Sequence, residues 1–128
     1  MASELTRRSA SEIAAALRAR ELGAVEVLEA HLEVIERLNP RLNAIVTLAA
    51  DQARSAAQEA EKLLAKGGED LPPLLGLPVV IKDIVETAGI RTTWASPVYA
   101  DHVPDEDAEV VARLRSAGAV ILGKSNTP

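Results

Sequence analysis

Apolar positions recur at helical spacing through the first half of the chain and gather into short continuous runs in the second. Ser9 followed by Glu12 has the spacing of a capping box, in which the serine oxygen accepts a first-turn amide and the glutamate reaches back. Ile13, Ala16, Leu17 and Arg20 then follow at helical intervals, and Gly23 punctuates. Val25, Leu28, Leu32 and Ile35 recur every three or four residues, which places them on one face of a second helix. Asn39-Pro40 is expected to end it. A third helix is predicted from about Thr47 to Lys66, carrying Ala49, Ala50, Ala53, Ala56, Ala57, Ala60, Leu63 and Leu64 and stopping at Gly67-Gly68. Such periodicity is the ordinary sign of a packed face.

The pattern changes after Pro72-Pro73. Val79-Val80-Ile81 is a β-branched run bounded by turn residues and apolar on both alternating faces, so it predicts a strand buried on both sides. The long loop RTTWASPVYADHVPDED precedes a helix from about Ala108 to Ser116, acidic at its start and arginine-bearing at its end, as the helix dipole favours. Gly118 ends that helix, and Ala119-Val120-Ile121-Leu122 predicts a second buried strand. A strand-helix-strand order implies a right-handed crossover and parallel pairing. The expected class is α/β, with a helical stretch over 9–66 and a strand-loop-helix-strand unit over 74–123.

Composition narrows the function classes. The 128 residues suffice for one domain, and 48% are apolar. With no Phe, one Trp and one Tyr, the core must be aliphatic and alanine-rich. A net charge of −5 argues against a nucleic-acid surface, which needs a basic face. The absence of Cys excludes a disulfide framework and a thiolate zinc site. The start, MASELTRRSASE, has no hydrophobic segment of a secretory signal, so a cytoplasmic location is expected.

Gly118 to Ser125 reads GAVILGKS and fits the phosphate-loop pattern letter by letter. That loop follows a strand and opens a helix, whose N-terminus faces the phosphate. Here the order is reversed: a helix precedes, and the four variable positions are strand formers. The reading is a helix cap at Gly118, a buried strand and a tight strand exit at Gly123, without a nucleotide site.

Lys82 is more unusual, because Val79-Val80-Ile81-Lys82-Asp83-Ile84-Val85 should be mostly buried. Burial favours a neutral amine, which can act as a general base. The alternative is a strand-end lysine paired with Asp83 or another acid.

GLPVVIKD, the TTWAS that follows and AGAVILGKSN, in this order and spacing, resemble the amidase signature family of amide hydrolases. The similarity continues upstream through SASEIAAALRARELGAVEVLEAHLEVIERLNPRLNAIV and covers nearly the whole chain. The resemblance implies a central twisted, mostly parallel sheet flanked by helices, incomplete here, and a Ser–cis-Ser–Lys triad. It makes Lys82 the lysine base and places Asp83, Thr92, Thr93 and Ser96 near the active site as loop support. For the three hydroxyls, turn and backbone hydrogen bonding is an equal alternative. Asp83 could orient Lys82 or anchor the loop, and the anchoring role is preferred.

The family's two serines belong to a Gly/Ser-rich segment expected beyond Pro128. Of Ser3, Ser9, Ser11, Ser55, Ser96, Ser116 and Ser125, none lies in a glycine-rich loop. The chain thus corresponds to about the first quarter of a family member and is expected to be inactive and poorly stable alone. The resemblance implies a small-molecule amide substrate, admits a homodimer, and implies no cofactor, metal, membrane or direct nucleic-acid partner. Two alternatives stand beside the amidase reading. One is the amidase component of a tRNA-dependent glutamyl/aspartyl amidotransferase, its A subunit, although Asn126-Thr127-Pro128 is more similar to stand-alone amidases. The other is a non-catalytic helical module using unfilled apolar faces on Val25, Leu28, Leu32 and Ile35. Asp101, His102, Asp105, Glu106 and Asp107 read as a solvated loop and helix cap rather than a metal site, since their ligand spacing is wrong. His31 shows no partner in the sequence.

Overall fold

The computed structural model describes residues 2–128. A first turn, α1 (Ala2–Leu5), leads to α2 (Ala10–Arg18), α3 (Ala24–Leu42), strand β1 (Ile45–Leu48) and α4 (Ala50–Lys66). Strand β2 (Pro78–Lys82), a short 3-10 turn at Pro97–Tyr99, α5 (Glu109–Ser116) and strand β3 (Val120–Ser125) complete the chain. The result is a mixed α/β unit. Its three strands lie in the order β1-β3-β2, with β2 parallel and β1 antiparallel to the central β3.

The capping box forms at α2. Glu12 donates its amide to Ser9 Oγ at 3.2 Å, and the Ser9 amide donates to Glu12 Oε2 at 2.7 Å. The apolar faces of α2, α3 and α4 pack on one side of the sheet, where Leu17, Val27, Leu28, Ala53 and Ala57 join Val120 and Leu122. Ile121 points the other way, to a smaller cluster with Ile81, Ile90 and Val111 of α5. Leu28 and Leu32 are buried, and Val25 and Ile35 pack against the larger cluster. The face that motivated an interaction module is therefore already filled. Among the described residues no helix is long and apolar enough to cross a membrane.

Four sequence expectations need correction. First, α3 does not stop at Asn39-Pro40 but runs to Leu42. Pro40 lies in its last turn, and the bond it cannot donate would go to the carbonyl of Glu36, a solvent-exposed residue. The left-handed Asn43 closes the helix, donating its amide to the Asn39 carbonyl at 2.7 Å.

Second, the helix predicted from Thr47 begins at Ala50, and β1 interrupts the supposed helical stretch 9–66. Ile45, Val46 and Thr47 are β-branched and suit a strand. The Asn39 side chain fixes the start of β1, donating to the Ile45 carbonyl and accepting its amide, both at 2.9 Å.

Third, β3 does not end at Leu122. Gly123, Lys124 and Ser125 remain in the strand. Gly123 is required by a close approach, since a Cβ there would collide with the Thr47 carbonyl oxygen and lie 3.2 Å from Leu48 Cα.

Fourth, β2 is not buried on both faces. It is an edge strand, Val80 is 41% exposed and Lys82 is exposed.

The β2–β3 ladder contains a one-residue shift. Val79 pairs with Ile121, but Val80 pairs with Gly123, so Leu122 is an extra residue on β3. Ile81 then pairs with Lys124, and Lys82 with Ser125. Register partners share a face and neighbours alternate, so Lys82 and Ser125 share one face and Lys124 projects from the other.

Candidate active-site segment around Lys82

Lys82 is the last residue of β2, at the carboxyl end of a parallel strand. In open α/β sheets ligands collect outside such ends. The backbone after Lys82 is held on every side. The Val85 amide donates to the Lys82 carbonyl at 2.9 Å, closing a tight turn, and the Asp83 amide donates to the Ser125 carbonyl at 3.0 Å. The Asp83 carbonyl accepts from the Trp94 amide at 2.9 Å.

The side chain of Asp83 is buried and accepts from the Thr93 amide at 3.1 Å and from Thr93 Oγ1. These bonds tie the loop after Ile90 to the end of β2. Trp94 and Ala95 adopt left-handed backbone conformations, with φ of 57° and 56°. Ser96 Oγ accepts from the Val98 amide at 3.3 Å and caps the 3-10 turn.

The buried lysine of this region is Lys124. It is 0% exposed, and its Nζ donates to the Val85 carbonyl at 2.8 Å and to Thr92 Oγ1 at 2.7 Å. Thr92, also fully buried, donates its own hydroxyl proton to the Ile90 carbonyl at 3.1 Å. Desolvation lowers the pKa of Lys124, against the opposing charges of Asp83 and Glu86. The desolvated lysine anticipated at Lys82 is thus the lysine on the neighbouring strand. Its sequence signal was the strand-forming run before it, which continues the ladder through Gly123 once β1 lies alongside.

Farther along the loop, Glu86 accepts from Trp94 Nε1 at 2.6 Å and lies 3.0 Å from His102 Nε2. The His102 hydrogen bond, and then that of Trp94, lowers the Glu86 pKa against the opposing effect of burial. Together with Tyr99, these side chains line a shallow cleft of about 310 Å³. Asp107 accepts the Ala88 amide and pairs with Arg115 at 2.8 Å, so this carboxylate anchors the loop. The helix cap expected here does not form: α5 starts after Ala108 without a side-chain cap. His31 Nδ1 lies 2.7 Å from the Val27 carbonyl, one turn back on α3.

The described residues therefore divide into an open amine, Lys82, on the Ser125 face, and a closed network of Lys124, Thr92, Thr93 and Asp83 that fixes the turn beneath it. An amine on a rigid strand end can bind an anion, form an ion pair or move a proton.

The family model described as "Amidase" matches residues 26–128. The chain is 44% identical over 123 residues to the A subunit of the glutamyl-tRNA(Gln) amidotransferase of Carboxydothermus hydrogenoformans, covering 96% of this chain and 25% of that protein. It is 46% identical over 110 residues to the protein of the same name from Geobacter metallireducens, covering 86% of this chain and 22% of that protein. Among solved structures, the peptide amidase of Stenotrophomonas maltophilia superposes with a TM-score of 0.85 at 35% identity, covering 94% of this chain and 25% of that one. The chain spans about a quarter of the length of the relatives it matches.

Proposed function

This chain belongs to the amidase family, and on that premise we propose that it supplies the lysine base of an amide C–N hydrolase. Lys82 takes the proton that a second serine relays from a nucleophilic serine, both serines lying in sequence beyond Pro128. The nucleophile attacks the amide carbonyl and backbone amides hold the oxyanion. Ammonia or an amine leaves, and water releases the acid. The observation that carries the reading is the position of Lys82: an open amine at the carboxyl end of a parallel strand, leading into a turn held by backbone bonds at Lys82, Asp83 and Val85. Because the lysine is exposed here, the shielding a base needs would come from the downstream segment that brings the serines. The substrate is a small amide, and the reaction is placed in the cytoplasm.

The test uses the complete polypeptide carrying this segment. Lys82→Ala should lower kcat by about 10²- to 10⁴-fold, the usual contribution of a positioned proton acceptor, with the fold retained. Undiminished hydrolysis by a folded Lys82→Ala enzyme would overturn the assignment. The 128 residues by themselves should show no turnover.

A second reading is favoured by the curated relatives at 44% and 46% identity, which are A subunits of amidotransferases. In that case the released ammonia is used by a partner-bound acceptor. Glutamine hydrolysis that requires co-expressed partner proteins supports it, and hydrolysis of simple amides by the isolated polypeptide supports the stand-alone amidase.

A further inference from the structure

We infer that Lys124 is a positioning residue for Lys82, acting from the opposite face of the sheet. The inference rests on the assignment of Lys82 as the base. Lys124 is fully buried yet carries an amine, and its two hydrogen bonds reach the places that fix the end of β2. The Val85 carbonyl belongs to the turn that the Val85 amide closes on the Lys82 carbonyl. Thr92 belongs to the returning loop, and its neighbour Thr93 holds the Asp83 carboxylate, one residue past Lys82. Lys124 therefore joins the outgoing turn to the returning loop, and the Asp83 amide completes the ring by bonding to Ser125, next to Lys124 on β3.

A purely apolar contact would hold the same volume, as Ile81 and Ile90 do in the adjoining cluster. The amine adds direction: two donors aimed at a carbonyl and a hydroxyl at fixed distances. A buried polar group carries a desolvation cost that a methionine at the same place would avoid. Its selective use here is to define the height and tilt of the turn that carries Lys82. Catalytic geometry is sensitive on this scale, since a misplacement of about 1 Å can cost about 10²-fold in rate.

The experiment compares Lys124→Met, Thr92→Val, Thr92→Ser and Lys82→Ala in the complete polypeptide, with kcat, KM, the pH dependence of kcat/KM and melting temperature read for each. Lys124→Met should lower kcat about 10- to 100-fold with KM within about threefold, and should move the acid limb of the pH profile. Thr92→Val should show the same signature in weaker form, and Thr92→Ser, which keeps the hydroxyl, should restore it. If Lys124→Met and Thr92→Val merely lower the melting temperature, with kcat and pH profile unchanged, Lys124 is a stability element and the inference is wrong. Should Lys124→Met fail to fold, the Thr92 pair decides by the same criteria. An active Lys82→Ala enzyme would instead overturn the underlying reading, whatever the Lys124 result.

Discussion

An ammonium has three N–H bonds to place, and Lys124 meets two acceptors, the Val85 carbonyl and Thr92 Oγ1. That shortfall agrees with the direction of its pKa, lowered chiefly by burial. The sign of the consequence follows from linkage. Between the lowered folded value and the ordinary lysine range near about 10, the unfolded chain binds more protons than the folded one. Stability should therefore rise with pH through that window, and below it the charged lysine is a standing cost. Urea unfolding from neutral pH to about pH 10 should show this rise, and Lys124→Met should flatten it. An unchanged slope in Lys124→Met would show that Lys124 is not the titrating group. Local composition could not reveal which lysine is desolvated. VVIKDIV is the more apolar surrounding, but exposure at Lys82 depends on β2 being a sheet edge, and burial at Lys124 depends on a loop about 35 residues earlier folding back over it.

At the scale of elements, the helices were legible because their faces repeat over several turns. The capping box, the glycine stops and α5 all follow from short-range chemistry. β1 was not legible. Four residues give too little alternation to distinguish a strand from a helix start, and alanines from Ala49 onward extend the helical pattern backward. Gly123 was misread for a related reason. A glycine after an apolar run looks like a strand exit until a second strand crosses beside it. Gly123→Ala measures that proximity. The added methyl meets the Thr47 carbonyl oxygen and Leu48 Cα, so it should cost about 1–3 kcal/mol in unfolding free energy and loosen β1 first, visible as faster amide exchange at Ala49 and Lys124. Native-like stability in that variant would mean that β1 lies farther from β3.

For the whole molecule, the helices form one layer against β3, while α5 and the long loop cover the other face. The α/β class and the parallel β2–β3 pair followed from element order, but the antiparallel third strand did not, because its partner is about 75 residues away. The larger cluster should carry most of the cooperativity. Leu28, fully buried where α3 meets it, is the sharpest test: Leu28→Ala should cost about 2–5 kcal/mol, measured by denaturant unfolding. A loss below about 1 kcal/mol would mean that the helical layer is only loosely coupled to the sheet. The open face of β2 leaves Val80 and Lys82 uncovered.

The extra residue in β3 works like a frame shift in a two-letter code. Upstream of Leu122 the strand is in phase with β2 through Val79–Ile121, and continuing that count without a bulge would set Lys82 opposite Lys124. Two ammonium groups would then crowd one side of the sheet, and each would disfavour the other's charge. Counting one residue more on β3 than on β2 sends one amine upward to open space and the other downward into the loop. What must be kept when this strand is grafted or redesigned is therefore its length between Ile121 and Lys124 as much as its letters.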